Sequence, residues 1–252
     1  MGKKKQAILD EVMQDFKEAE ETRLNEFQVK IKCKNDKQKE FLRTLKDKKK
    51  QICFGVGAAG SGKSYISLMY ALEAIANKKF KQVICIVPTC EATTNGSLSL
   101  GFLKGDYNAK IEPYTVADTY SMTKILDNSG NENSDKIVKR LFEKKMVIYE
   151  LVNFARGKTW DDALILINEA ENYSKEEMLL LLTRIGENSK IVISGDIEQL
   201  DRKDIKKGQA RSGILHAMNV FQDTEEASIV EFTAEDVVRN PLITKILELW
   251  KK

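Results

Sequence analysis

Ile52-Cys53-Phe54-Gly55-Val56 runs without a break into Gly57-Ala58-Ala59-Gly60-Ser61-Gly62-Lys63-Ser64, and Tyr65 onward continues as an apolar helical stretch. An apolar strand, a glycine-rich turn of the form G-x-x-x-x-G-K-[ST] and a helix start make a phosphate-binding loop. The composition follows from the chemistry. Gly57, Gly60 and Gly62 let backbone N–H groups close on β- and γ-phosphate oxygens with no Cβ in the way. Lys63 brings a cation to those oxygens, Ser64 offers a hydroxyl to Mg²⁺, and the helix presents its positive dipole end to the anion. The segment from Gly57 to Tyr65, with Ala58, Ala59 and Ser61 among its backbone donors, is therefore the expected binding site of a nucleoside triphosphate and Mg²⁺.

Working outward, apolar runs recur at 83–87, 147–151, 164–167, 191–194 and 229–232, continuous rather than alternating, as strands covered on both faces should be. Helical patterns lie between them near 64–77, 115–126, 174–184 and 209–222, with another at 241–251. The alternation predicts an α/β fold, a doubly wound and mostly parallel sheet. Two segments interrupt it: 88–114, read as an active-site loop, and the Asn/Ser-rich 127–134, read as an exposed loop. No internal repeat is visible.

Before the loop, Ile8, Leu9, Val12, Met13 and Phe16 fall at helical spacing and predict an amphipathic helix for assembly or partner contact. Phe27, Val29, Ile31 and Cys33 alternate with polar neighbours, the period of a half-buried strand. Asn35 reads as the N-cap of a helix, with Gln38 placed to complete a capping box. The expected organisation is an extension over 1–34 and one phosphate-loop domain over 35–252.

With 252 residues and 42% hydrophobic content, the chain can bury one sizeable core. The first residues, Met1-Gly2-Lys3-Lys4-Lys5-Gln6, lead into charge rather than an apolar signal stretch, and no run approaches the ~18 residues of a membrane span, so a cytoplasmic protein is expected. The four cysteines lack zinc-site spacing and read as reduced core thiols, and the only histidine, His216, reads as structural. Net charge is only +3, yet basic residues cluster at 3–5, 46–50 and 202–207. Such clusters suit a nucleic-acid backbone or a solvated face.

Two further strand ends carry polar groups. Leu164–Ile167 ends in Asn168-Glu169-Ala170-Glu171-Asn172, and Ile191–Ser194 ends in Gly195-Asp196-Ile197-Glu198-Gln199. Carboxyl ends of strands beside a phosphate loop are where Mg²⁺ is held and water positioned. Taken with Leu100-Gly101-Phe102-Leu103-Lys104-Gly105-Asp106, Arg156-Gly157-Lys158-Thr159, Leu182-Thr183-Arg184-Ile185-Gly186, Ser212-Gly213 and Asp236-Val237-Val238-Arg239, the chain from about Asn35 to Leu249 resembles the PhoH-like family of ATPases, whose small members occur in bacteria and their phages. The resemblance implies a RecA-like P-loop NTPase fold similar to the first domain of superfamily 1 helicases. It further implies ATP hydrolysis, a ring-shaped homo-oligomer such as a hexamer, and a role on RNA or single-stranded nucleic acid.

By position, Gln38 would read adenine, Glu169 would orient or activate the attacking water, and Gln199 would sense the γ-phosphate. Arg184 and Arg239 would stabilise the transferring phosphate, at least one of them from a neighbouring subunit, and Arg156 would serve the same end or hold its loop. Two departures stand out. The family's Arg-Pro after the second strand is Val87-Pro88 here. The family's acidic motif is DEAQN, so Asn168 stands where an aspartate is expected among the metal residues Ser64, 168 and Glu169. An amide there removes the charge, and ATP binding with impaired hydrolysis is the expectation. Other classes stay open: a nucleotide-dependent assembly switch without translocation, or a small-molecule kinase built on the same loop.

Overall fold

The computed structural model describes residues 26–88, 107–197 and 212–238. Six strands form one sheet: β1 Ile52–Gly57, β2 Gln82–Val87, β3 Val147–Leu151, β4 Ala163–Ile167, β5 Lys190–Gly195 and β6 Ala227–Phe232. Their order is β3-β2-β4-β5-β1-β6, with every neighbouring pair parallel. All six predicted apolar runs are strands of this sheet, and the α/β fold is that of a RecA-like P-loop NTPase.

Side chains on alternate strand positions feed two cores, as the pleat requires. Cys53, Val83, Cys85, Leu164, Leu166 and Val192 pack under α1 (Asp36–Lys46), α2 (Lys63–Ala76), α3 (Tyr107–Asn128) and α4 (Ser134–Glu143). Phe54, Ile84, Ile86, Ile165, Ile191 and Ile193 pack under α5 (Lys175–Leu182) and α6 (Gly213–Phe221). Buried on both faces, the strands had to be continuous apolar runs. Lys190, at the start of β5, is one of the buried polar exceptions: its Nζ donates to the carbonyls of Leu45 and Asp47, both at 2.7 Å, satisfying the carboxyl end of α1. Burial pulls its pKa below the ordinary lysine value.

The structure corrects several expectations. Residues 27–33 keep their alternation, with Phe27 in the core and Val29, Ile31 and Cys33 packed against it, but among the described residues they pair with no strand. Their backbone is held instead by side chains of the α3–α4 turn: Gln28 N–H donates to Asn131 Oδ1 at 3.0 Å, and Lys30 N–H to Ser129 Oγ at 2.9 Å. The Asn/Ser segment 127–134 is exposed at most of its positions, as expected, and also acts as a clamp, with Ser129 and Ser134 buried.

Helix α4 has no counterpart in the sequence reading. Its N-cap Asn133 takes a left-handed backbone, φ 56°, and makes no side-chain cap, so the usual start signal is missing. Within 88–114, residues 107–114 are the opening turns of α3, which accommodates Pro113; 89–106 lie outside the described residues. So do the 8–16 and 241–251 helix patterns and the basic clusters at 3–5 and 202–207. Cys53 and Cys85 are buried free thiols in β1 and β2, and Cys33 is half-buried. His216, read as structural, is exposed on α6. No described helix is long and apolar enough to cross a membrane.

Candidate nucleotide-binding site

The phosphate loop leaves β1 at Gly57, whose φ of 112° only glycine adopts easily and whose missing Cβ would collide with the Phe232 carbonyl. Gly60 and Gly62 are also left-handed, with φ of 83° and 87°. The loop is braced from outside. Ala58 N–H donates to Phe232 O at 3.1 Å, and Val238 N–H to Gly60 O at 3.1 Å.

Gln38 is the inner brace. It is buried, its Nε2 donates to Ser61 O at 2.8 Å, and its Oε1 accepts from Lys34 N–H at 2.7 Å. The expected reciprocal capping box is therefore only half formed: Asn35 Oδ1 accepts from Gln38 N–H, but the Gln38 side chain turns to Lys34 and the loop. A Cβ on Gly62 would lie 2.7 Å from Gln38 Nε2, so glycine at 62 is required by this brace as well as by its φ.

Lys63 is buried and folded into the loop, its Nζ donating to Gly57 O at 2.7 Å, Ala58 O at 2.8 Å and Ser61 Oγ at 3.2 Å. Phosphate oxygens are stronger acceptors for the same ammonium, so exchange of these weaker partners for phosphate is favourable.

Ala59, Gly60, Gly62, Lys63, Ser64 and Tyr65 form one wall of a cleft of about 350 Å³; Glu169, Glu171, Ser194, Gly195 and Asp196 form the other. Strand order explains the gap. The acidic segment follows β4, one strand removed from β1, and β5 between them contributes Ser194 to Asp196. A second cavity of about 350 Å³ continues past Gly62 and Tyr65 along Lys32, Lys34, Gln38, Lys124 and Val238, where a base could lie beyond the phosphates.

Sequence-expected residues fall into four groups. Ala59, Gly60, Gly62, Lys63, Ser64, Tyr65 and Glu169 line the first cleft, and Gln38 the second, while Gly57, Ala58 and Ser61 shape the loop behind Lys63. Arg184 is elsewhere. It precedes β5, at the opposite edge of the sheet from the cleft, with Nη1 donating to Lys158 O and Nη2 to Thr183 Oγ1, each at 3.1 Å. Of the two placements left open for Arg184, on its own chain or a neighbour's, this position lies away from its own chain's cleft. Arg156 is exposed just beyond β3, the edge strand on the far side of the sheet from β1. Gln199 and Arg239 lie outside the described residues.

Two of the quoted sequence pieces are packing joints. A Cβ on Gly186 would lie 2.6 Å from Trp160 O and closer still to Asp161, and one on Gly213 would lie 2.6 Å from Met178 Cβ.

Asp196 and Ser194 were not singled out from the sequence as site residues, whereas Glu171 belongs to the acidic pair at the end of β4. Glu171 Oε2 accepts from Asp196 N–H at 2.9 Å, tying the acidic segment to the end of β5. Burial raises its carboxyl pKa above the ordinary value, opposed by its own N–H and that of Asp196, with the charges of Glu169 and Asp196 adding to the rise. The available signal was the fourth letter of the acidic segment: glutamate here, glutamine in DEAQN. Asn168 is half-buried and is not part of the cleft wall.

A magnesium nucleotide fits these residues. Ser194 Oγ is buried in the cleft with no hydrogen-bond partner, and the glycine turns leave a cradle that a Cβ would fill. Ser64, Glu169 and Glu171 would hold the cation through water; once bound, it would neutralise charge on the phosphates. Among the described residues no three His, Cys, Asp or Glu side chains converge enough to hold a metal alone, so the phosphates must supply part of its shell.

A phosphate loop at the head of a parallel sheet, facing carboxylates across one intervening strand, defines a nucleotide-binding protein of the P-loop class. Residues 30–251 match the family described as PhoH-like protein. The chain is 34% identical over 222 residues to a PhoH-like protein of Bacillus subtilis strain 168, covering 88% of this chain and 64% of that one. It is 31% identical over 222 residues to Protein PhoH of Escherichia coli K12, covering 87% and 58%. A PhoH-like protein of Mycobacterium tuberculosis H37Rv is 32% identical over 201 residues, covering 80% and 53%. The chain thus belongs to the PhoH-like family, which is of the ATPase-type P-loop kind, and spans less than two thirds of the length of these relatives.

Proposed function

We propose that this chain binds ATP with Mg²⁺ and hydrolyses it, and that its subunits assemble head to tail into a ring that acts on RNA or single-stranded DNA in the cytoplasm. The observation that carries the nucleotide reading is the cleft itself, in which Lys63 and the Gly60–Gly62 backbone face Glu169 across β5. Glu169 takes a left-handed backbone, φ 50°, a conformation that costs a non-glycine residue about 1–3 kcal/mol and is held where function requires it. Such a carboxylate suits the orientation of attacking water.

Assembly is supported by Arg184, which could meet a phosphate only on a neighbouring chain. Nucleic-acid binding is supported by the exposed Lys48 and Lys49 of the 46–50 cluster. Its mark would be affinity falling steeply with salt, as for phosphate-dominated contacts.

Impaired hydrolysis belongs to this reading only in so far as residue 168 touches the cation. Phosphate release from the chain and from Asn168→Asp measures it: a rise of about a hundredfold marks 168 as the missing electrostatic group. Equal rates mark a carboxylate supplied elsewhere.

The nucleotide reading is tested by thermal unfolding. Mg-ATP at a hundredfold over its Kd should stabilise the fold by about 2.7 kcal/mol, and Lys63→Ala should abolish the shift. An undiminished shift in Lys63→Ala overturns the site.

A further inference from the structure

We propose that Glu171, with the Ser194 hydroxyl, joins Ser64 and Glu169 in holding the hydrated divalent cation of the bound nucleotide, taking the part that the resemblance gives to residue 168. The inference rests on the nucleotide reading above and assigns the cation's partners within it.

Four observations carry it. Glu171 belongs to the cleft wall opposite Lys63 and Ser64, whereas Asn168 does not. Ser194, beside Glu171 on that wall, is 1% exposed and its Oγ has no hydrogen-bond partner, a costly arrangement that a cation-bound water would relieve. Its strand position is fixed: Ser194 pairs with Gly55 and Gly195 with Val56, at the root of the phosphate loop.

The carboxylate is held for this task. Asp196 N–H fixes Oε2 at 2.9 Å, and a Cβ on residue 195 would lie 2.9 Å from that same oxygen, so glycine keeps the space open. A carboxylate offers about four acceptor positions, more than its backbone donors use.

Charge points the same way. Among the described residues, the cleft lining sets Glu169, Glu171 and Asp196 against one cation, Lys63, whose ammonium is already engaged by the loop. A polyphosphate entering such a cleft would meet net repulsion unless a divalent cation came with it. Glu171 sits in the 3₁₀ turn Ala170–Asn172 that follows β4, and its carboxylate reaches the end of β5 at Asp196 N–H.

The test is the Mg²⁺ dependence of nucleotide binding, read by anisotropy of a fluorescent, non-hydrolysable ATP analogue titrated with Mg²⁺ from an EDTA-treated start. Glu171→Gln keeps an oxygen for Asp196 N–H and so preserves the fold, which circular dichroism checks. It should raise the Mg²⁺ midpoint tenfold or more while affinity without Mg²⁺ holds or improves. Ser194→Ala should raise the midpoint severalfold, and Asn168→Ala should shift it less than either. Mn²⁺ resonance with the same analogue gives a second readout, the Glu171→Gln protein losing the protein-bound signal. A Glu171→Gln midpoint equal to that of the parent chain, or a larger shift in Asn168→Ala, overturns the assignment while leaving nucleotide binding intact. Failure of the parent chain to bind the analogue at any Mg²⁺ concentration overturns the nucleotide reading and this inference with it.

Discussion

Gln38 and Ser61, 23 positions apart, are joined by a buried hydrogen bond of 2.8 Å from the Gln38 amide to the Ser61 carbonyl, which ties helix α1 to the phosphate loop. The other end of the same amide holds Lys34 N–H at 2.7 Å. With both ends engaged, Gln38 shapes the loop whether or not a base also touches it.

Replacing Gln38 with Glu removes the donor to Ser61 O and sets a carboxylate against that carbonyl. Stability should fall by about 1–3 kcal/mol, the range for leaving a buried polar group unsatisfied, measured by urea unfolding. Nucleotide affinity separates the two roles. A brace predicts that ATP and GTP lose affinity by the same factor; an adenine contact predicts that ATP loses more.

The Asp118–Tyr149 pair gives a pH signature remote from the cleft. Tyr149 O–H donates to Asp118 Oδ2 at 2.7 Å between α3 and β3, and burial raises the Asp118 pKa despite that bond. A carboxyl raised in the fold contributes stability that is fully present below its unfolded pKa and is lost as pH rises through the folded value. Asp118→Asn keeps an acceptor without the charge. Its stability advantage over the parent chain should therefore be largest near pH 7 and shrink as pH falls toward the ordinary aspartate range, followed by denaturant midpoints across that range. An advantage that grew on acidification would contradict it.

Gly186 tests whether the Leu182–Gly186 segment is a packing joint. Its N–H donates to Trp160 O at 2.9 Å, and a Cβ would press on that same carbonyl and on Asp161. Gly186→Ala should cost about 1–3 kcal/mol, as overpacking does, while leaving the affinity of folded protein for Mg-ATP unchanged. Calorimetric titration alongside urea unfolding checks both halves. Weakened ATP binding with unaltered stability would make the segment a ligand contact instead.

Arg184 lies at the sheet edge opposite the cleft, so any phosphate it meets belongs to another subunit. Arg184→Ala should lower ATP turnover in the assembled protein with little change in ATP affinity. Mixing it with Lys63→Ala should restore some hydrolysis, because mixed interfaces join an intact loop to an intact arginine. Arg239→Ala in the same mixture serves as the parallel trial. Full activity of Arg184→Ala alone would remove it from the reaction.

Much of this protein is written locally. A phosphate loop depends on glycine at fixed positions, so Gly57, Gly60, Gly62, Lys63 and Ser64 announce it, and strands buried on both faces must be apolar throughout, so all six could be read. Helix α1 begins where Asn35 caps it.

What depended on distant partners could not be read. The alternation at 27–33 promised a strand, yet pairing needs a neighbour, and Ser129 and Asn131, about a hundred residues away, took that place. Arg184 shares a sequence pattern with site residues, but the parallel order of strands puts the amino end of β5 at the far edge from the loop. Glu171 and Ser194 are ordinary letters in the chain. Only the insertion of β5 between β1 and β4 brings a buried carboxylate and an unpartnered hydroxyl to face Lys63, because strand order is fixed by packing over the whole sheet rather than by any one segment.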